Sequence, residues 1–208
     1  LLISFTVFAQ SVEIGTGTST GRFPLSAYFG YERSASLFTA AEISQTGNIA
    51  TLGWRANTVK ATARPIKIYL KQVTESTLTA QNWATLTTGA TLVYDGSTTI
   101  ASGWNTFILT SVFNYVGGAN NLLVLVETNF GGGGAGDGIS GAEIRYSTAT
   151  DMILTAATDT NPPTVNLTLS SNRPNIQMLF GPLVTCFPPT NITFSGVTTS
   201  GVTLNWVA

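Results

Sequence analysis

The chain has 208 residues, of which 43% are hydrophobic and 9% are charged, and its formal net charge is −1. It contains no histidine and one cysteine, although these two residue types supply most general bases, activated nucleophiles and transition-metal ligands. This composition excludes His-dependent catalytic triads and His-ligated zinc, and the lack of a basic cluster argues against nucleic-acid binding. We therefore expect a binding or structural protein rather than an enzyme, and we assign no catalytic residue.

Residues 1–9 are apolar and end with Val7 and Ala9 at the −3 and −1 positions of a cleavage site before Gln10. This pattern resembles the end of a secretory signal peptide, and nine residues are too few to cross a bilayer. The alternative is a buried first strand, because apolar and polar residues alternate at the start of the segment. The signal-peptide interpretation predicts a protein that is secreted or held at the cell surface, with no membrane insertion after cleavage.

The segments that follow have the pattern of short strands. Ile66, Ile68 and Leu70 alternate with polar residues, which predicts a half-buried strand. Residues 121–127 are almost continuously apolar, which predicts a central strand buried on both faces. Turns rich in Gly, Ser, Asn and Thr separate such segments, and no helical period is sustained. We expect an all-β fold, a jelly-roll-like two-sheet β-sandwich that occupies residues 10–183.

A glycine-rich tract covers residues 131–138. It is not a phosphate-binding loop, because no Lys-Ser or Lys-Thr pair follows it and no helical pattern begins after it. The composition predicts a flexible connection between strands, which could form a mobile lip over one end of the sandwich.

A second unit is expected over residues 184–208, near Cys186. The Pro188-Pro189 opening, the strand pattern of residues 190–194 and Trp206 at the end of the next strand resemble the first two strands of a fibronectin type III domain. Such a domain has about 100 residues. The resemblance therefore implies a truncated immunoglobulin-like domain, with further domains in the same chain. The single cysteine of a chain expected to be exported suggests a disulfide partner in a region outside this sequence or in another chain, and the alternative is a small buried hydrophobic residue.

Within residues 13–182, eight stretches resemble, in order and spacing, a β-sandwich domain of secreted multidomain proteins of Bacteroidota. Proteins with that domain often use the type IX secretion route and carry fibronectin type III repeats. The resemblance implies an exported accessory or adhesive module and brings no catalytic residues with it. The matching stretches are residues 15–18, 36–43, 47–52, 66–70, 93–96, 103–105, 113–115 and 121–127.

Two acidic residues, Glu42 and Glu127, lie beside strongly apolar residues, where a carboxylate needs a partner. We expect an ion pair or hydrogen bond with Arg55, Arg145 or a turn amide. The alternative is a structural calcium ion, for which Asp137 in the glycine-rich tract would supply a further oxygen ligand, and we expect no other cofactor.

Aromatic rings are the other candidate for a binding site, because flat exposed rings can stack against sugars. Trp54 and Phe107 lie within apolar strand patterns and are expected in the core. Tyr28, Tyr31 and Trp83 lie next to predicted loops and are our candidates for ligand contact at the surface.

Together these observations predict an exported binding or adhesion module within a larger multidomain protein, with an extracellular glycan or a surface protein as its partner. The first alternative is a purely structural spacer. The second is a glycoside hydrolase or the accessory domain of a peptidase, and the hydrolase requires two carboxylates that face each other across a cleft.

Overall fold

A computed structural model describes residues 10–136, 141–181, 190–195 and 203–207. Strands account for 62% of the structure and helices for 5%, and the strand pairs are antiparallel. The predicted all-β class is therefore confirmed. Among the described residues, no helix is long and apolar enough to span a membrane.

The elements follow one another as strands with two short helices between them. In chain order they are β1 (Gln10–Ile14), β2 (Ser19–Gly21), β3 (Tyr31–Phe38), α1 (Ala40–Ile43), β4 (Gly47–Ala56), β5 (Lys60–Val73), β6 (Gln81–Asn82), α2 (Trp83–Thr87), β7 (Thr91–Ile100), β8 (Gly103–Tyr115), β9 (Asn121–Asn129), β10 (Ile144–Thr158), β11 (Asn166–Pro174), β12 (Ile176–Phe180), β13 (Thr190–Ser195) and β14 (Thr203–Val207).

The strands form two layers. The front sheet has the order β1-β12-β4-β8, and the back sheet has the order β7-β5-β9-β3-β10-β11. The two are joined where Ile144 of β10 pairs with Ala56 of β4. The chain crosses between the layers from β3 to β4, β4 to β5, β7 to β8 and β8 to β9, and it returns to the front sheet at β12. As a result, β1-β12-β4-β8 faces β3-β9-β5-β7, which is the strand order of a jelly roll. The predicted jelly-roll-like sandwich is confirmed.

The main core lies between the two sheets. Ile66, Ile68 and Leu70 of β5 are at most 1% exposed, as their alternation predicts. Trp54 of β4 and Phe107 of β8 meet edge to face with their ring centroids 5.5 Å apart. Burial of a side chain of this size contributes about 1.5–3 kcal/mol to folding, so the apolar faces of the strands hold the layers together.

A second apolar cluster covers the outer face of the back sheet. Leu123 and Leu125 of β9 point to this face, whereas Leu122 and its alternate neighbours point into the main core. Leu78 and the α2 residues Trp83 and Leu86 pack over them. β9 is therefore buried on both faces, as its continuous apolar sequence predicts.

The strands β13 and β14 pair with each other, with Thr193 opposite Asn205. Two strands are thus present where the resemblance to a fibronectin type III domain places them, but the identity of this unit stays a prediction. The expected signal segment (residues 1–9), Asp137 and Cys186 lie outside the described residues.

Candidate functional site

A pocket of about 260 Å³ opens where β10 lies between β2 and β11. Tyr146 is the central residue, because it pairs with Ser19 on one side and with Pro174 on the other. We call this site the Arg22 pocket. Its lining residues are Gly21, Arg22, Phe23, Tyr146, Ser170 and Asn172.

Gly21 makes room for the aromatic wall of the pocket. A Cβ atom on Gly21 would lie 3.3 Å from Cδ1 and 3.6 Å from Cε1 of Tyr146. The Tyr146 ring therefore packs against the β2 backbone where a side chain is missing. The ring is half-buried, and its hydroxyl makes no hydrogen bond to any residue that the structure describes.

Arg22 is exposed and is held over two aromatic rings. Its Cζ atom lies 4.2 Å from the ring centroid of Tyr28 and 5.3 Å from that of Phe29. Such cation–π contacts contribute about 0.5–1 kcal/mol each at exposed sites. Within the described part of the chain, the guanidinium makes neither a hydrogen bond nor an ion pair.

Glu32 fixes the loop that carries these two rings. Its Oε1 accepts hydrogen bonds from the amide N–H groups of Tyr28 and Phe29 at 3.0 and 3.1 Å, and its Oε2 accepts one from Ala27 at 3.0 Å. Burial raises the pKa of Glu32 to about 7, although the three amides and the charge of Arg22 act in the opposite direction. This carboxylate therefore shapes residues 27–29 from beneath and is not open to a ligand.

The glycine-rich tract packs against the same loop. The N–H groups of Gly131 and Ala135 donate to the carbonyl oxygens of Gly30 and Ala27, both at 2.8 Å. A Cβ atom on Gly134 would lie 2.4 Å from the carbonyl oxygen of Tyr28. The described part of the tract therefore packs closely against this loop, and the flexible connection or mobile lip that its composition predicts stays a prediction.

The predicted surface aromatics are not brought together. Tyr28 lies beneath Arg22 at the edge of the pocket. Tyr31 opens β3, is half-buried, and pairs with Asn129 and Thr158 away from the pocket lining.

Trp83 is 8% exposed and belongs to the second apolar cluster. Asn82 caps α2 and turns the tryptophan onto the back sheet, where Arg33 lies 5.1 Å from the ring and Tyr69 meets it edge to face. This burial does not fit the exposed stacking platform that the sequence suggests.

The predicted carboxylate Glu42 has an arginine partner. Its Oε1 and Oε2 accept hydrogen bonds from Nη2 and Nη1 of Arg173 at 2.5 and 3.1 Å, and Oε2 also accepts the Thr39 N–H in a capping box on α1. Burial alone would raise the pKa of Glu42, but these hydrogen bonds hold it below its usual value.

Glu127 is also paired, because its Oε2 accepts hydrogen bonds from Nε and Nη2 of Arg33 at 2.9 and 2.7 Å. The two carboxylates are therefore ion-paired as we expect, but with Arg173 and Arg33 instead of Arg55 or Arg145. Among the described residues, no three acidic, His or Cys side chains are grouped as metal ligands, so the calcium interpretation gains no support. Its third ligand, Asp137, lies outside them.

A larger pocket of about 460 Å³ lies beneath residues 74–81 on the back sheet. Its lining contains Leu78, Leu86, Leu123 and several threonines, but no aromatic ring. Lys71 and Glu75, its two charged residues, have opposite signs. It therefore lacks the aromatic stacking surface of the Arg22 pocket, and its charged lining is mixed instead of purely cationic.

Most residues of the Arg22 pocket escape prediction from the sequence. A local signal exists for Arg22, which precedes an aromatic residue in a segment without any acidic residue between Glu13 and Glu32. Tyr146 and Asn172 have no such signal, because only the pairing of β10 with β11 brings them together.

No family model matches the chain, and no curated protein matches it significantly.

Proposed function

We propose that the chain is an exported binding module that holds a larger multidomain protein to an extracellular glycan, with the Arg22 pocket as the binding site. The observation that carries the proposal is the pocket's combination of two half-buried aromatic rings with side-chain donors of Arg22, Tyr146 and Asn172 that make no hydrogen bond to a described residue. Export is supported by the signal-like residues 1–9.

The chemistry of the pocket suits a sugar. Phe23 and Tyr146 provide ring surface for the apolar C–H face of a pyranose, and such rings bury much apolar area. The Tyr146 hydroxyl and the Asn172 side-chain nitrogen, which have no partner among the described residues, can hydrogen-bond to sugar hydroxyls. A volume of about 260 Å³ fits one or two sugar units rather than a large cofactor.

The alternatives are less well supported. A glycoside hydrolase needs two carboxylates about 5–10 Å apart, but no acidic residue lines the pocket, and Glu42 and Glu127 are bound to arginines. A pure spacer leaves the combination of aromatic rings and polar side chains in one pocket without a role. Adhesion to a surface protein stays open as a second use of the same module.

A glycan array followed by titration calorimetry tests the proposal. We expect binding in the 10 µM to 1 mM range, typical of a site with a few hydrogen bonds. Tyr146→Phe and Asn172→Ala should each weaken binding about three- to tenfold, since each removes one hydrogen-bonding group. Tyr31→Phe and Asn166→Ala, which change the same residue types outside the pocket, should leave binding unchanged.

The failing outcomes are distinct. A flat array for polysaccharides and glycoproteins would favour the spacer. Glycan binding that the pocket variants do not change would place the site outside the Arg22 pocket. A larger loss of binding in Tyr31→Phe than in Tyr146→Phe would instead favour a site at the surface aromatics predicted from the sequence.

A further inference from the structure

We infer that the ligand of the Arg22 pocket is an acidic sugar whose carboxylate pairs with Arg22, such as a uronic acid within a polysaccharide. This inference rests on the proposed function and specifies its ligand. Its basis is the arginine itself, which is exposed, held in position by two rings, and without a hydrogen-bonding partner among the described residues.

The charge of the pocket is positive. None of its six lining residues is acidic, and Arg22 is its one cation. Arg22 acts electrostatically on Glu32, but that carboxylate lies 1% exposed beneath the loop and is bound to three backbone amides. The arginines next to the pocket residues in β10 and β11 have partners, as Arg173 binds Glu42 and Arg145 donates to Asn57.

The position of the guanidinium also suits a carboxylate. The Cζ atom of Arg22 lies over the Tyr28 ring, 4.2 Å from its centroid, and a cation–π contact of this kind does not use the guanidinium N–H groups as hydrogen-bond donors. These groups form a planar fork that matches the two oxygens of a carboxylate. Stacking also reduces the side-chain entropy that binding would otherwise cost.

The other lining residues complete a site for a charged ring. With the carboxylate on Arg22, the sugar ring can lie against Tyr146 or Phe23, and its hydroxyls can reach Ser170 and Asn172. A single arginine without a neighbouring lysine favours a planar monoanion over a sulfate or phosphate ester, because sites for those esters usually combine several cations or backbone amides.

Titration calorimetry with matched glycans tests this assignment. The probes are polygalacturonate and alginate oligosaccharides, the same oligosaccharides after chemical reduction of the carboxyl groups, and sulfated galactan fragments. We expect the acidic forms to bind at least tenfold more tightly than the reduced forms, as the loss of a charge-assisted pair implies. The difference should shrink at 0.5 M salt because the pocket is exposed.

Variants separate the role of Arg22 from general charge. Arg22→Gln should remove the preference for the acidic forms while retaining binding of the reduced forms, and Arg22→Lys should recover part of it. Arg55→Gln removes an exposed positive charge from the front sheet and should have no effect. Thermal melting of each variant checks that the fold is intact.

Each failure has its own meaning. Equal binding of acidic and reduced forms, or preference for the sulfated fragments, would overturn the carboxylate assignment while the glycan-binding proposal stands. Absence of binding to every glycan would overturn both.

Discussion

Glu32 is a single buried carboxylate that holds three consecutive backbone amides and, through them, the rings that support Arg22. Isolated burial of a charged carboxylate is costly, and three hydrogen bonds offset only part of that cost. The consequence is a carboxyl group with a pKa of about 7. The buried carboxyl group of Glu32 therefore links the shape of residues 27–29 to its own protonation state.

Stability should therefore depend on pH through Glu32. Its pKa is about 7 in the folded chain and 4.5 in the reference state, so the folded chain binds the proton more tightly between these values. The free energy of unfolding should fall as pH rises from about 5 to 8, by at most about 3 kcal/mol. Urea unfolding at several pH values measures this slope.

The assignment of that slope to Glu32 can be checked. The chain has no histidine, the side chain that normally titrates in this range. Glu42 acts oppositely, because its lowered pKa stabilises the fold above about pH 4.5 and the effect is lost only as pH falls further. Glu32→Gln should flatten the curve between pH 5 and 8, and an unchanged slope in that variant would contradict the assignment.

At the scale of elements, the glycine-rich tract needs glycine where its backbone packs closely against the loop of residues 27–30. Gly134 has a φ of +79°, and a Cβ there would lie 2.4 and 2.5 Å from the carbonyl oxygens of Tyr28 and Ala27. Gly134→Ala should lower the free energy of unfolding by about 2 kcal/mol or more, from strain and displacement of the loop. Gly133→Ala is the matched control, because nothing lies within 4 Å of its Cβ position. Equal effects of the two substitutions would show that the tract does not pack in this way.

Strands could be predicted from the sequence where their own residue pattern shows which faces are buried. β5 alternates and β9 is continuously apolar, and both patterns reflect which faces are buried. Trp83 shows the limit of such reasoning, because α2 has five residues and shows no helical period. Its neighbours therefore indicate no more than a single helical turn beside a loop, whereas tertiary packing places the ring over the back sheet.

The candidate site depends on contacts between distant positions, which periodicity does not encode. Glu42 and Arg173 are separated by 131 positions. The sequence therefore indicates that the Glu42 carboxylate needs a partner, but it does not indicate that this partner is Arg173. Tyr146 meets β2 on one side and β11 on the other only after the chain has crossed between the layers. The sequence therefore indicates the sandwich more fully than the pocket.

At the scale of the whole molecule, stability should decrease from β9 outward. β9 pairs with β3 and β5 along both edges and is buried on both faces, whereas β1 pairs with β12 alone among the described strands. Amide exchange needs only local opening where one edge is free, but near-global unfolding where both edges and both faces are packed. Hydrogen–deuterium exchange with mass spectrometry should show the slowest amides in peptides from residues 121–129 and faster exchange in residues 10–14. Equal rates in the two strands would mean that the sandwich opens as one unit, and the inner back sheet would then not be its most stable part.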